Sequence, residues 1–193
     1  MRLVEVGSVH HRDLSPGNMM YYRDGEGRAT GVLSDFDFAA RLDEPAPISS
    51  RQSRHGTAPF MPQDLLEEEE EEAVEHTLTH DWESALYIMT WIAMGYKHGQ
   101  PPSESHDPLR RWNEGSWDCI STEWMYFSTQ RGRYKTITDD IRPEYSCLVG
   151  PIEELRYLLG MQSIAKCLNS CRVPVEMDSN PLTPDVFFEI LKV

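Results

Sequence analysis

The stretch HHRDLSPGNMM at residues 10–20 constrains this chain more than any other. It carries Arg12-Asp13 and, five positions after that Asp, Asn18, in a segment broken by Pro16 and Gly17. Buried strands and helices have no use for this pattern, because Pro and Gly interrupt both and the polar groups would need partners. A loop that turns a carboxylate and an amide oxygen toward one cleft does use it, since hard oxygen donors are what a magnesium ion on a phosphate requires. A second stretch, GVLSDFDFAAR at residues 31–41, ends a short apolar strand in Asp35-Phe36-Asp37. Between the two lies YYRDGEGRATG, whose Asp-Gly and Glu-Gly pairs predict a hairpin turn.

Further along stand RHGTAPFMPQDLL (54–66) and HDWESALYIMTWI (80–92). Residues 40–62 are polar and Pro-containing, with Ser49, Ser50, Ser53 and Thr57, and predict a long surface loop. Residues 67–75 form an acidic insertion, read either as a solvated helix face or as a mobile insertion. The pattern then predicts a central helix over 79–96, entered through Thr79 and Asp81 and buried on nearly all sides. Residues 97–193 read as mostly helical. Pro151 is expected to open a helix with Ile152, Leu155, Leu158 and Leu159 on one face. Thr183-Pro184-Asp185 predicts an N-cap with Pro in the first turn, leading a helix that buries Val186, Phe187, Ile190 and Leu191. The fold class is therefore α+β, mainly helical, with a short β-hairpin region beside the opening loop.

Composition narrows the function. Six of the net −14 charges lie in the run Glu67–Glu72, and the remaining −8 is still acidic. No basic stripe exists to meet a phosphate backbone, so no nucleic-acid partner is expected. The longest apolar stretch, residues 85–96, falls well short of the roughly 20 residues that span a bilayer. No membrane association is expected either. Cys119, Cys147, Cys167 and Cys171 form no CxxC pair and read as reduced thiols, which places the chain inside the cell, in cytoplasm or nucleus.

His11-Arg12-Asp13, four residues and then Asn18 is the spacing of the protein-kinase catalytic loop. With Asp35-Phe36-Asp37, Gly56-Thr57, Phe60-Met61, HDWES and the later PLRRWNEGS, the chain resembles the large, C-terminal lobe of a eukaryotic protein kinase. The branch it resembles is the fungal-type protein kinases. The resemblance runs from about residue 5 to the end, across a catalytic loop at 10–20, a DFG-like turn at 35–37 and an activation segment at 35–64.

The resemblance implies ATP and Mg2+ as cofactors and a protein or peptide as substrate. Asp13 would be the base that accepts the substrate hydroxyl's proton, and Asn18 and Asp35 the magnesium ligands. Thr57 would hydrogen-bond Asp13, Met20 would floor the adenine pocket, and His11 and Phe36 would stack in the spine between lobes. Arg12 would meet an activation-loop phosphate, with Ser49, Ser50 or Ser53 as its source. Asp64 would pair with a late Arg, Arg142 or Arg156, and Asp81 would hold the catalytic-loop backbone from below. Ser15 stands where most Ser/Thr kinases have Lys, and Asp37 replaces Gly. Asp37 and the run Pro16-Gly17-Asn18 are also features of small-molecule phosphotransferases of the aminoglycoside and choline type. A third alternative is a non-catalytic binding module. No Gly-rich loop, strand Lys or helix Glu precedes residue 10, so the expectation is a lobe without its small lobe. Such a lobe would have little activity alone and a surface near Met20 and Phe36 for the small lobe or a partner.

Overall fold

The computed structural model describes residues 9–41, 56–66, 74–100, 115–116, 120–123, 125, 127, 139–171 and 183–191. The described structure is mainly helical with two small sheets. The chain divides into two compact units, Met1–Ile88 and Met89–Val193.

The first unit holds β1 (Val9–His10), β2 (Met19–Arg23), β3 (Ala29–Leu33) and β4 (Ala40–Arg41). β2 and β3 form the expected antiparallel hairpin, in the register Met19↔Leu33 to Arg23↔Ala29. Its turn is built by Asp24. That residue's Oδ1 accepts the N–H groups of Glu26 and Arg28, both at 2.9 Å, and its Oδ2 accepts from Arg28 Nε at 2.8 Å. Gly27, at φ +80°, takes the left-handed position that closes such a turn. The donors from Arg28 hold the Asp24 carboxyl below its usual range. β3 begins at Ala29, two residues ahead of the apolar piece at Gly31, because ladder pairing with β2 extends it.

β1 and β4 pair antiparallel, His10 opposite Ala40. This is one of two departures from the surface loop expected over 40–62. The other is at its far end, where a 3-10 turn, Ala58–Phe60, leads into α1 (Gln63–Leu66) with Phe60, Met61, Leu65 and Leu66 buried. Apolar side chains in a polar context were enough to anchor that end. Residues 42–55, including Ser49, Ser50 and Ser53, and the Glu67–Glu72 run lie outside the described residues.

α2 (Leu78–Gly95) is the expected central helix, shifted by one residue at each end. Leu86, Tyr87, Ile88, Ala93 and Met94 are buried along it, and so are Asp81 and Glu83.

In the second unit, Arg142 closes the C-terminal end of α2. Its N–H donates to Ala93 O at 2.9 Å and its Nε to Met94 O at 3.2 Å, satisfying carbonyls that the helix leaves open. A 3-10 turn, Pro143–Leu148, feeds α3 (Val149–Ser170), which starts two residues before Pro151 and carries that Pro in its first turn. Ile152, Leu155 and Leu159 form the buried stripe of α3, with Leu158 at its margin. Arg156 Nη1 donates to Phe127 O at 3.1 Å. α4 (Pro184–Ile190) opens as expected, with Thr183 Oγ1 accepting the Val186 N–H at 3.3 Å, and packs on α3 through buried Phe187. Val186, Ile190 and Leu191 are only partly buried.

Candidate active site

The loop after β1 is held from inside the first unit. Asp81, 5% exposed in the first turn of α2, accepts the backbone N–H of His11 at 2.6 Å and of Arg12 at 2.9 Å. Burial pushes its carboxyl up from the usual range, and the two N–H groups act against that shift. Arg12 sits at φ +69°, a left-handed position that costs a residue with a Cβ. The paired bonds to Asp81 fix the backbone there. Burial also lowers the Arg12 guanidinium, with Asp81 opposing. Leu14 and Ser15 point into the protein and seat the loop. Position 15 therefore offers no cation to the cleft. Pro16–Asn18 then form a 3-10 turn, closed by Asn18 N–H donating to Ser15 O at 3.0 Å.

Asp13 lies between two neighbours. Its Oδ1 accepts the Thr57 N–H at 2.9 Å and the Thr57 hydroxyl at 3.0 Å. On the other side, Asn18 Nδ2 donates to Asp13 O at 3.0 Å and approaches Asp13 Oδ2 at 3.4 Å. With its amide nitrogen so used, Asn18 keeps Oδ1 as the atom to offer a cation. Gly56 is required beside this pair. Its φ is +135°, and a Cβ there would come within 3.2 Å of Met61 Cε and 3.9 Å of Asp13 Oδ1.

Asp35 follows β3 at φ +61° and is exposed. Its predecessor, Ser34, donates its N–H to Asn18 O at 3.0 Å, so the residue before Asp35 is tied to the residue just before β2. His11 Nε2 bonds Ser34 O at 2.9 Å, and the His11 ring lies 4.8 Å from that of Phe36, centroid to centroid. Phe36 O accepts from Ala39 N–H at 3.0 Å, closing the turn that contains Asp37. Loop, hairpin and turn thus bring His11, Asp13, Asn18, Asp35, Phe36 and Thr57 to one region of the first unit. Carboxylate and amide oxygens are the donor chemistry magnesium takes. Among the described residues no group of three or more His, Cys, Asp or Glu side chains could hold a metal ion. Met20 is 53% exposed on β2, opposite half-exposed Val32, with Tyr21 and Tyr22 exposed beside it.

Behind the loop lies a group of side chains that the motifs did not reveal. The rings of His10 and His76 meet edge to face at 5.8 Å, and those of His76 and His80 at 5.0 Å. His80 Nδ1 accepts the Thr77 N–H at 3.1 Å, and its Nε2 lies 3.6 Å from Asp64 Oδ2. Asp64 thus meets a histidine of the α2 first turn, while Arg142 and Arg156 make the backbone bonds given above. Burial, with positive neighbours Arg12 and His80, lowers His10; burial and the adjacent His80 push His76 down to about 2. Glu83, two residues after Asp81, is buried and raised by that burial. Its Oε1 accepts the Gln63 N–H at 2.8 Å and the Tyr87 hydroxyl at 2.5 Å. Its sequence sign, an acid inside an apolar run, does not say which backbone it meets.

Cys147, Cys167 and Cys171, all in the second unit, are free, exposed thiols, and Cys119 lies outside the described residues. Among the described residues no helix is long and apolar enough to cross a membrane.

No curated protein and no solved structure matches the chain. Residues 1–93 match the family model for fungal protein kinase, and every residue of the site, from His10 to Glu83, falls inside that span. Over those 93 residues, slightly less than half its length, the chain is similar to the fungal protein kinases.

Proposed function

We propose that this chain carries the phosphoryl-transfer site of a fungal-type protein kinase, moving the γ-phosphoryl group of ATP to Ser or Thr hydroxyls of protein substrates. One observation carries the reading. Asp13 Oδ1 is held by both donors of Thr57, while Asn18 is bonded back to Asp13 from the other side. Phosphoryl transfer asks little covalent chemistry of a protein, and positioning with charge stabilisation supplies most of the acceleration. Asp13 would align the acceptor hydroxyl for in-line attack and take its proton at a carboxylate oxygen. Asn18 and Asp35 would hold magnesium, which when bound neutralises charge on the phosphate oxygens. Thr57 comes from a Gly-Thr segment of the type that precedes the substrate groove in protein kinases. Small-molecule phosphotransferases generally lack it, so the Thr57 contact favours a protein acceptor.

Calorimetry with Mg-ATP and a transfer assay on a Ser/Thr-rich basic protein test this together. Mg2+-dependent ATP binding is expected, lost in Asp35→Ala and in Asn18→Ala. Where the parent transfers phosphate, transfer is expected to fall by about 10²–10⁴-fold in Asp13→Ala with ATP binding retained. Binding without Mg2+ dependence would overturn the metal assignment. Transfer unchanged in Asp13→Ala would overturn the reading as a whole.

A further inference from the structure

We propose that Glu83 is a positioning residue for the phosphoacceptor side of the site, fixing the segment that carries Thr57 against Asp13; the assignment rests on the phosphotransfer reading above. α2 presents two buried carboxylates two residues apart, and side chains at that spacing leave a helix on different sides. They hold different things. Asp81 takes the N–H groups of His11 and Arg12, the loop that ends in Asp13. Glu83 takes the N–H of Gln63, the first residue of α1. A four-residue helix leaves its early N–H groups without internal acceptors, so an outside acceptor decides where α1 begins.

From Gln63 back to Thr57 the chain is braced without a gap. Leu65 and Leu66 N–H both donate to Pro62 O at 3.1 Å, Met61 to Ala58 O at 3.2 Å, and Phe60 to Thr57 O at 2.8 Å. Phe60 and Met61 are buried, and Met61 packs against Gly56. A displacement of α1 therefore travels to Thr57, whose N–H and hydroxyl both end on Asp13. Burying a carboxylate is costly, and an apolar residue at 83 would have served packing alone. What the carboxylate adds is an acceptor for the Gln63 N–H, itself oriented by the Tyr87 hydroxyl one turn along the same helix. In this way one helix sets both walls of the site, the loop through Asp81 and the segment through Glu83.

Amide hydrogen exchange by mass spectrometry reads this without requiring activity. In Glu83→Ala, amides of residues 57–66 should exchange at least about tenfold faster, with residues 9–14 and 149–170 unchanged. Glu83→Gln keeps an acceptor oxygen and should stay within about threefold of the parent. Gln63→Pro deletes the donated N–H at a helix position where Pro is tolerated, and Gln63→Ala, which loses the side chain but keeps that N–H, is its control and should match the parent at 57–66. Gln63→Pro should reproduce the pattern expected of Glu83→Ala even if Glu83→Ala fails to fold. Unchanged exchange at 57–66 in Gln63→Pro, or equal acceleration in all segments, would overturn the assignment. Where the parent transfers phosphate, KM for the acceptor peptide should rise about tenfold in Gln63→Pro, with KM for ATP unmoved. A parent with no transfer would count against the phosphotransfer reading alone, since the exchange pattern stands independently.

Discussion

Charging a side chain that is 5% exposed costs free energy, and Asp81 offsets that cost with two backbone donors from one short loop. The same two bonds hold Arg12 in a left-handed conformation that it would not keep unaided. Removing the carboxylate would strand two N–H groups and release the strained backbone. Asp81→Ala is therefore expected to lose about 1–3 kcal/mol of stability, read as a lowered urea midpoint with an unchanged m-value. Asn at the same position supplies a single acceptor oxygen and should fall between the parent and Ala. The contact of Asp81 with the loop was legible through the resemblance, which also singled out Asp13 and Asn18: their spacing matches a known loop, and Asp81 opens an apolar helix. Glu83 and the Asp64–His80 contact were not. Their meaning depends on which backbone the fold brings to α2, and nothing local to either residue records that.

At the scale of elements, α2 was readable to within a residue at each end from its apolar run, and the presence of the β2–β3 hairpin, though not the bounds of its strands, from its Asp-Gly turn chemistry. The β1–β4 pairing was not, since two-residue ladders are too short to show an alternating pattern. Nor was the burial of Phe60 to Pro62, where a few apolar residues sit in a polar neighbourhood. The junction of β1 with the start of α2 has a consequence for pH. His76 faces His10 from β1 and His80 from α2, with Arg12 adding a further positive charge nearby; Glu75 acts on His10, and Asp64 and Asp81 on His80. His76 is held at about 2 against an unfolded value of 6.5, so it stays neutral when folded while the unfolded chain takes up a proton below pH 6.5. Its contribution is complete above pH 6.5 and is lost as pH falls, by about 1.4 kcal/mol at pH 5.5. Asp81 and Glu83, both raised, act in the opposite sense, gaining as acid protonates them. A comparison with His76→Phe isolates the histidine. Denaturation should find the two proteins alike at pH 7.5 and the Phe variant more stable by about 1.4 kcal/mol at pH 5.5. A difference independent of pH would remove the linkage.

At the scale of the whole molecule, the sequence reads as one lobe without a division into two compact units, and the elements of each unit were legible to different degrees. Motif order marks the first, where every site residue lies, while α3 and α4 were read from periodicity and capping alone, without any chemistry to name. Charge acts across both. A net charge of −14 with only 18 Lys and Arg creates a negative field that reaches beyond any one contact. An acceptor peptide rich in Lys and Arg would be drawn toward such a protein and an acidic one repelled. The Debye length falls from about 10 Å at 0.1 M salt to about 3 Å at 1 M, so this attraction is confined to dilute buffer. Stopped-flow anisotropy with a labelled Ser peptide flanked by Lys and Arg should show association slowing roughly tenfold over that range. Dissociation should change much less, because contacts made after docking are screened less than the approach. The same peptide with Glu for each basic residue should associate slowly at 0.1 M and gain rather than lose speed with added salt. Equal, salt-independent rates for the two peptides would mean that the charge of this chain has no part in drawing in the protein acceptor proposed for it.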